Sequence, residues 1–254
     1  MPKSLYLILV LLGLLASCSS NKNIPKNQAF DFKFDTLNLM DKSRNRIIPI
    51  AIYTPKSKAN NQVIIVSHGY GQNKGGDYLT YSYLTENLAN KGFYVVSIQH
   101  ELPTDSLIPK SGIPQIVRRP FWDRGTDNIL FVIEHLKKSH PELDFKHITL
   151  IGHSNGGDMT ALFPQKYPNI VSKIITLDNR RMALPRTTNP NVYSLRSSDQ
   201  PADKDVLPTD EEQQKFKIKI IKLPNTIHNN MDNRGNDAQR TEINDYVLSF
   251  LLER

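Results

Sequence analysis

The sequence predicts an α/β fold in which a mostly parallel sheet is covered by helices on both faces. Three observations predict it. Short unbroken apolar runs such as Val63-Ile64-Ile65-Val66 have the composition of strands buried on both faces. Segments with apolar residues three and four apart, the spacing of one helix face, separate those runs. One run, at residues 148–151, passes through a glycine-flanked turn straight into a helical pattern.

In chain order, Phe30, Phe32 and Phe34 alternate with polar residues, and Ile48, Ile50 and Ile52 alternate again after a polar turn at 41–45, which reads as an antiparallel hairpin. Val63–Val66 is the first buried strand. Asp77 can cap a helix that carries Tyr81, Leu84 and Leu88 on one face and stops at Gly92, ahead of the strand run Tyr94-Val95-Val96. A second helix follows Pro120, with Ile129, Val132, Ile133 and Leu136 on one face, and leads into Ile148–Ile151. A third begins after Ser154. Strand runs then recur at Ile174–Leu177, Val192–Leu195 and Ile218–Leu223, and the last helix aligns Ile243, Tyr246, Val247, Phe250 and Leu251. Lys215, Lys217 and Lys219 interleave with Phe216, Ile218 and Ile220, as expected of a final edge strand whose lysines face solvent and discourage pairing with another chain. The pattern shows no internal repeat, no low-complexity tract and no second domain boundary.

With 254 residues, 39% of them hydrophobic, the chain suits one large domain and excludes a polytopic membrane protein. The net charge of +7 would suit an anionic partner, but the basic residues are scattered without a run of five, so no nucleic-acid partner is expected. Cys18 is the only cysteine, which excludes an intramolecular disulfide framework, a clustered-cysteine zinc site and an iron–sulfur cluster. Asp199, Asp203, Asp205 and Asp210 lie close in sequence but lack the glycine and terminal glutamate of a calcium loop, and no phosphate-cradling loop motif is present. Neither metal nor cofactor is expected.

The N-terminus has a positive Lys3, an apolar run of 12 residues from Leu5 to Ala16, and the sequence Leu15-Ala16-Ser17-Cys18. That run falls short of the roughly 20 residues that span a bilayer. The segment resembles the lipobox of bacterial lipoproteins. The resemblance implies a signal peptide at 1–17, lipidation of Cys18, a tether at 18–28, a domain at 29–254, and a lipid-anchored location in the bacterial cell envelope. Cleavage before Cys18 would leave 237 residues. An ordinary secretory signal cut near the same place is the other reading.

Chemistry concentrates in Ile148-Thr149-Leu150-Ile151-Gly152-His153-Ser154-Asn155-Gly156-Gly157, where a strand meets a G-x-S-x-G turn and then a helix. The glycines remove side chains where strand and helix crowd together, and the serine hydroxyl is presented at a helix N-terminus. From Asn61 to the C-terminus the sequence resembles the α/β-hydrolase superfamily. The resemblance implies a serine nucleophile at Ser154 and an oxyanion hole from the main-chain N–H groups of Tyr70, in Ser67-His68-Gly69-Tyr70-Gly71, and of Asn155. His68 is read as structural. The resemblance also implies a general-base histidine after the last strand, where His228 stands ahead of the final helix; the other six histidines, on or near helices, at a strand start, in a long loop or in the motifs themselves, fit that place worse. For the acid, Asp199, 45 residues past the serine and 29 before the histidine, resembles the layout of cutinase-like and polyester hydrolases. Asp203 follows in the same loop, and Asp178 occupies the position resembling platelet-activating-factor acetylhydrolases.

The 13 residues from Asp178 to Pro190 leave no room for a helical cap, so an open site is expected, walled by residues 99–119 and 200–209 and suited to bulky or polymer-borne esters. This weighs against a lid-gated lipase. The serine weighs against a haloalkane dehalogenase, whose nucleophile is an aspartate. Arg118, Arg119, Arg180, Arg181 and Arg186 fall in loops near the catalytic edge, where they could bind an acidic substrate, pair with Asp178, or only brace the surface. The sequence thus points to a membrane-tethered serine hydrolase of carboxylic esters acting through an acyl-enzyme. A peptidase or acyltransferase using the same residues, and a catalytically silent binding lipoprotein, are the competing readings.

Overall fold

The computed structural model describes residues 31–56 and 60–253. The signal segment, Cys18 and the tether lie outside the described residues. An antiparallel hairpin comes first, β1 (Phe32–Asp41) and β2 (Arg46–Pro55), with Phe32 opposite Pro55 and Asp41 opposite Arg46. Then follow β3 (Gln62–Ser67), α1 (Ser82–Asn90), β4 (Tyr94–Ile98), a short α2 (Pro114–Val117), α3 (Arg119–Ser139), β5 (Asp144–His153) and α4 (Asn155–Lys166). The C-terminal part holds β6 (Lys173–Leu177), β7 (Asn191–Arg196), α5 (Asp210–Phe216), β8 (Lys219–Lys222) and α6 (Asp237–Leu252). The eight strands form one sheet in the order β1-β2-β4-β3-β5-β6-β7-β8, antiparallel at β1, β2 and β4 and parallel from there on.

The alternation of side chains along the strands sorts the core into two layers. Val63, Ile65, Ile148, Leu150 and Ile174 face α3 and α4, meeting Trp122, Ile129, Val132, Met159 and Leu162. Ile64, Val66, Ile151, Ile175 and Leu195 face α1 and α6, meeting Leu84, Leu88, Ile243, Val247 and Phe250. Continuous apolar runs were needed because both faces are covered. Among the described residues no helix or strand interrupts 178–190, so no cap stands over the carboxyl edge of the sheet.

Two expected elements differ. Asp77 opens only a 3₁₀ turn, Asp77–Leu79, and α1 starts at Ser82 with Tyr81 as its N-cap. Lys215 and Phe216 belong to α5, and Lys217 caps it in the left-handed region at φ 56°, so of the three lysines only Lys219 lies on the edge strand. A capping box explains this: the Thr209 hydroxyl accepts from the Glu212 N–H while the Glu212 carboxylate accepts from the Thr209 N–H, and three acids occupy the first turn. These end effects outweigh a strand-like alternation only a few residues long.

Close approach of α4 to β3 rests on Gly156, where an added Cβ would stand 2.3 Å from the Ser67 carbonyl oxygen and 2.5 Å from that of His68. At Gly125 in α3 the added atom would meet the flexible Met159 side chain instead, with Sδ at 2.2 Å. Gly156→Ala is expected to lower the unfolding free energy by about 2–3 kcal/mol, since backbone must move. Gly125→Ala should cost less than about 1.5 kcal/mol, because methionine repacks and alanine favours the helix. Urea denaturation midpoints of the two variants check the order.

Candidate active site

The sheet places Ser154 and Asp178. β5 ends at His153, and Ser154 turns the chain into α4 with φ 52° and ψ −117°, a backbone conformation that costs an L-residue energy and projects its side chain outward. The turn is held by Ser154 N–H donating to the Leu177 carbonyl at 2.9 Å and by the Ser154 carbonyl accepting from Asp158 N–H at 2.9 Å. Parallel pairing sets His153 opposite Leu177 on β6, and Leu177 opposite Leu195 on β7. The next residue along β6 is therefore Asp178, beside Ser154 on one hand and Arg196 on the other.

His228 enters from the loop after β8, in a single 3₁₀ turn spanning His228–Met231. Its Nε2 lies 2.9 Å from Ser154 Oγ, and its Nδ1–H donates to Asp178 Oδ2 at 2.5 Å. Asp178 is fully buried and also accepts from the Ser197 N–H at 3.0 Å and the Ser197 hydroxyl at 2.8 Å, with the Arg196 guanidinium 2.9 Å from Oδ1. Burial alone would raise its pKa, but the His228 hydrogen bond, the charge of Arg196 and the two bonds from Ser197 outweigh it and hold the carboxyl below the ordinary aspartate value. The result is a carboxylate–imidazole–hydroxyl chain that can orient the ring and receive the serine proton.

Both expected oxyanion donors sit on polar supports. The His68 ring accepts the His100 N–H on Nε2 at 3.0 Å and donates from Nδ1 to the Gly69 carbonyl at 2.6 Å. Because a trans peptide points its N–H opposite its carbonyl, fixing the Gly69 carbonyl also fixes the Tyr70 N–H. Asn155 is held by its side chain, which accepts from Trp122 Nε1 at 2.9 Å and donates to Glu101 Oε1 at 3.0 Å. Among the described residues, no protein acceptor takes the main-chain N–H of Tyr70 or of Asn155. Glu101 is buried, and burial raises its pKa.

His153 links the two sides. Tyr81 Oη accepts from the Gly69 N–H at 3.0 Å and donates to His153 Nδ1 at 2.7 Å, while His153 Nε2–H donates to the His228 carbonyl at 3.1 Å. This pattern requires a neutral ring. Burial and the neighbouring His228 push its pKa down to about 3. A polar cleft of about 450 Å³ opens over Ser154 and His228, with Tyr70, Lys74, Asp77, Asn229, Asp232 and Arg234 in its lining.

A family description of the alpha/beta hydrolase fold matches residues 62–227. The chain belongs to the α/β-hydrolase family. Solved structures similar to this hydrolase include an esterase from the fungus Rhizomucor miehei, at 14% identity over 87% of this chain and 82% of the other, with a TM-score of 0.64. An esterase from Pyrobaculum calidifontis is similar at 13% identity over 86% and 84%, TM-score 0.63. An α/β serine hydrolase without a lid from Xanthomonas campestris is similar at 15% identity over 90% and 100%, TM-score 0.57. No curated protein matched the sequence.

In this hydrolase the expected partner of the imidazole is corrected. Asp199 accepts from the main-chain N–H of His228 at 2.7 Å and does not reach the ring; Asp203 accepts from Gln115 at 3.4 Å. Both lie beyond the end of β7, whereas the register puts Asp178 at the sheet edge itself. The ion pair to Asp178 comes from Arg196, outside the five arginines singled out, and the same register is its signal. The Ser154 cleft is walled by residues 69–81 and 228–234 in place of 99–119 and 200–209. The sequence marks the Asn155 supports Trp122 and Glu101 only through the polar triplet Gln99-His100-Glu101 directly after a buried strand, all three buried. Among the described residues no cluster of three or more histidine, cysteine or acidic side chains could hold a metal.

His153 makes acid stability testable. Its folded pKa of about 3 lies below the ordinary histidine value of 6.5, so the unfolded chain binds the extra proton between those limits. Its contribution to stability is present above pH 6.5 and is lost as pH falls toward 3, amounting to roughly 3–5 kcal/mol in full. Unfolding free energies at pH 4 and pH 7 should differ less in His153→Gln than in the parent chain.

Proposed function

We propose that the chain is a serine esterase that works through an acyl-enzyme. The observation that carries this reading is the continuous chain from Asp178 through His228 to Ser154 Oγ, with the serine at a backbone-strained turn between strand and helix. In the first half-reaction His228 Nε2 takes the Ser154 proton as Oγ attacks the ester carbonyl. The free main-chain N–H groups of Tyr70 and Asn155 are the donors for the oxyanion, and the imidazolium then protonates the departing alcohol. Water repeats the sequence on the acyl-enzyme. Asp178 stabilises the imidazolium and holds its tautomer, and Asp199 positions the His228 backbone.

The similarity in fold to proteins described as esterases supports this reading. The polar lining of the cleft favours hydrophilic substrates over long acyl chains. An acid at the end of β6 is the arrangement that resembles platelet-activating-factor acetylhydrolases rather than cutinases. The lipobox-like segment ending in Cys18 supports the further proposal that the domain is lipid-anchored in a bacterial cell envelope.

A fluorophosphonate probe should label the folded protein covalently at Ser154 and leave Ser154→Ala unlabelled; a folded parent chain that resists labelling refutes the reading. Asp178→Asn should lower kcat for 4-nitrophenyl acetate about 10³–10⁴-fold, by loss of the imidazole orientation and charge. Asp199→Asn should lower it less than tenfold, since the ring keeps its partner. Steady-state rates of the two variants check the assignment.

A further inference from the structure

Arginines crowd one flank of the site, and most of them are occupied. Arg119 pairs with Asp123, Arg186 with Glu212 and four main-chain carbonyls, Arg124 with Asp105, and Arg196 with Asp178. Arg180 donates to Gln200 Oε1 and to the Pro201 carbonyl. Two differ. The side chains of Arg118 and Arg181, both half-buried, have no hydrogen bond or ion pair among the described residues, and Arg181 Nε is shut off from solvent without an acceptor.

These two come together from separate elements. Arg118 joins α2 to α3 one helical turn ahead of Trp122, whose Nε1 holds Asn155, so the i, i+4 spacing sets Arg118 on the α3 face turned toward the site. Gln115 Nε2 donates to the Arg181 carbonyl at 3.1 Å and ties α2 to the segment that follows Asp178. Arg118 interacts electrostatically with Arg181, Arg180, Asp158 and Tyr70; burial, followed by Arg181, holds its pKa below the usual arginine value. Among the described residues no carboxylate forms an ion pair with either guanidinium, although Asp203 and Asp205 line the same hollow as Arg181. Asp158 Oδ1 accepts the N–H groups of Arg180, Arg181 and Met182, and Asp203 accepts from Gln115. Like charges half-removed from water repel one another, and a buried guanidinium N–H lacks the partner such groups nearly always have. A planar oxyanion supplies both the charge and the acceptors, in the geometry a guanidinium fork matches.

We propose that Arg118 and Arg181, flanked by Arg180, form an anion subsite beside Ser154, and that the preferred substrates are esters bearing a second, free carboxylate. This rests on the serine-esterase reading above. None of the three arginines lines the cleft over Ser154 itself; the link to the nucleophile runs through Asp158, whose N–H donates to the Ser154 carbonyl while its carboxylate takes the Arg181 N–H, and through Tyr70, with which Arg118 interacts.

The test uses the full-length protein and matched ester pairs at low ionic strength: 4-nitrophenyl hemisuccinate against the butyrate for a carboxylate on the acyl part, and 4-acetoxybenzoate against phenyl acetate for one on the alcohol part. In at least one pair the anionic ester should have a kcat/KM about tenfold or more above the neutral one, and the advantage should shrink as salt rises. Arg118→Ala and Arg181→Ala should each remove most of that ratio, with neutral-ester turnover changed less than twofold. Arg118→Gln and Arg181→Gln, which keep more of the side chain than alanine does, should give the same ratios if the alanine variants fold poorly. Ser154-dependent turnover of neutral esters with no anionic preference, or with a preference indifferent to both arginines, overturns the subsite and leaves the esterase reading intact. Absence of Ser154-dependent turnover of every ester overturns both.

Discussion

The parallel register between β5 and β6 is the constraint on which the site depends. One main-chain hydrogen bond, from Ser154 N–H to the Leu177 carbonyl, closes that ladder where the strand turns into α4. It brings the residue after Leu177 alongside the serine without help from any long loop. The next register, β6 to β7, sets Arg196 beside Asp178 by the same rule. A buried carboxylate between an imidazole, a guanidinium and a serine thus arises from strand pairing. A buried charge persists only with such company.

Only His228 comes from outside that rigid edge, and its placement is determined more than once. Asp199 takes its N–H, His153 donates to its carbonyl, and Asp178 takes its ring proton. His153 in turn is neutral because its two ring nitrogens face a donor and an acceptor in a buried place. Tyr81 carries the same chain of bonds on to the loop holding Tyr70. Ser154, His228 and the Tyr70 N–H therefore share a hydrogen-bonded frame, and movement of one would strain the others.

The fold was largely legible in the sequence because covering a sheet on both faces demands the long apolar runs that mark β3, β5 and β6. The G-x-S-x-G turn identified Ser154 for an equally local reason: the crowding of strand and helix shows as glycines. His228 could be placed by order along the chain. The acid could not. Asp178, Asp199 and Asp203 all follow a strand end, and choosing among them requires knowing which strands are neighbours and in what register, a property of pairs of segments. Glu101 and Trp122 were hidden for the same reason, since their value to Asn155 exists only across the folded core. α5 leaves little mark on apolar spacing because its capping box lies in side chains and seven residues leave little room for a period.

The cleft over Ser154 is bounded by segments that take no part in the sheet: residues 69–81 on one side and 228–234 on the other. Beyond the few residues that anchor the site, these walls are mostly polar side chains on turns. The chain from Asp178 through His228 to Ser154, in contrast, hangs from strand ends whose neighbours leave no space even for a methyl group at Gly156. The molecule is thereby divided into a part where nearly any change is felt throughout and a part where sequence can drift cheaply. New selectivity can be acquired by editing the turns while the reacting atoms keep their coordinates, which makes this architecture a receptive starting point for directed evolution.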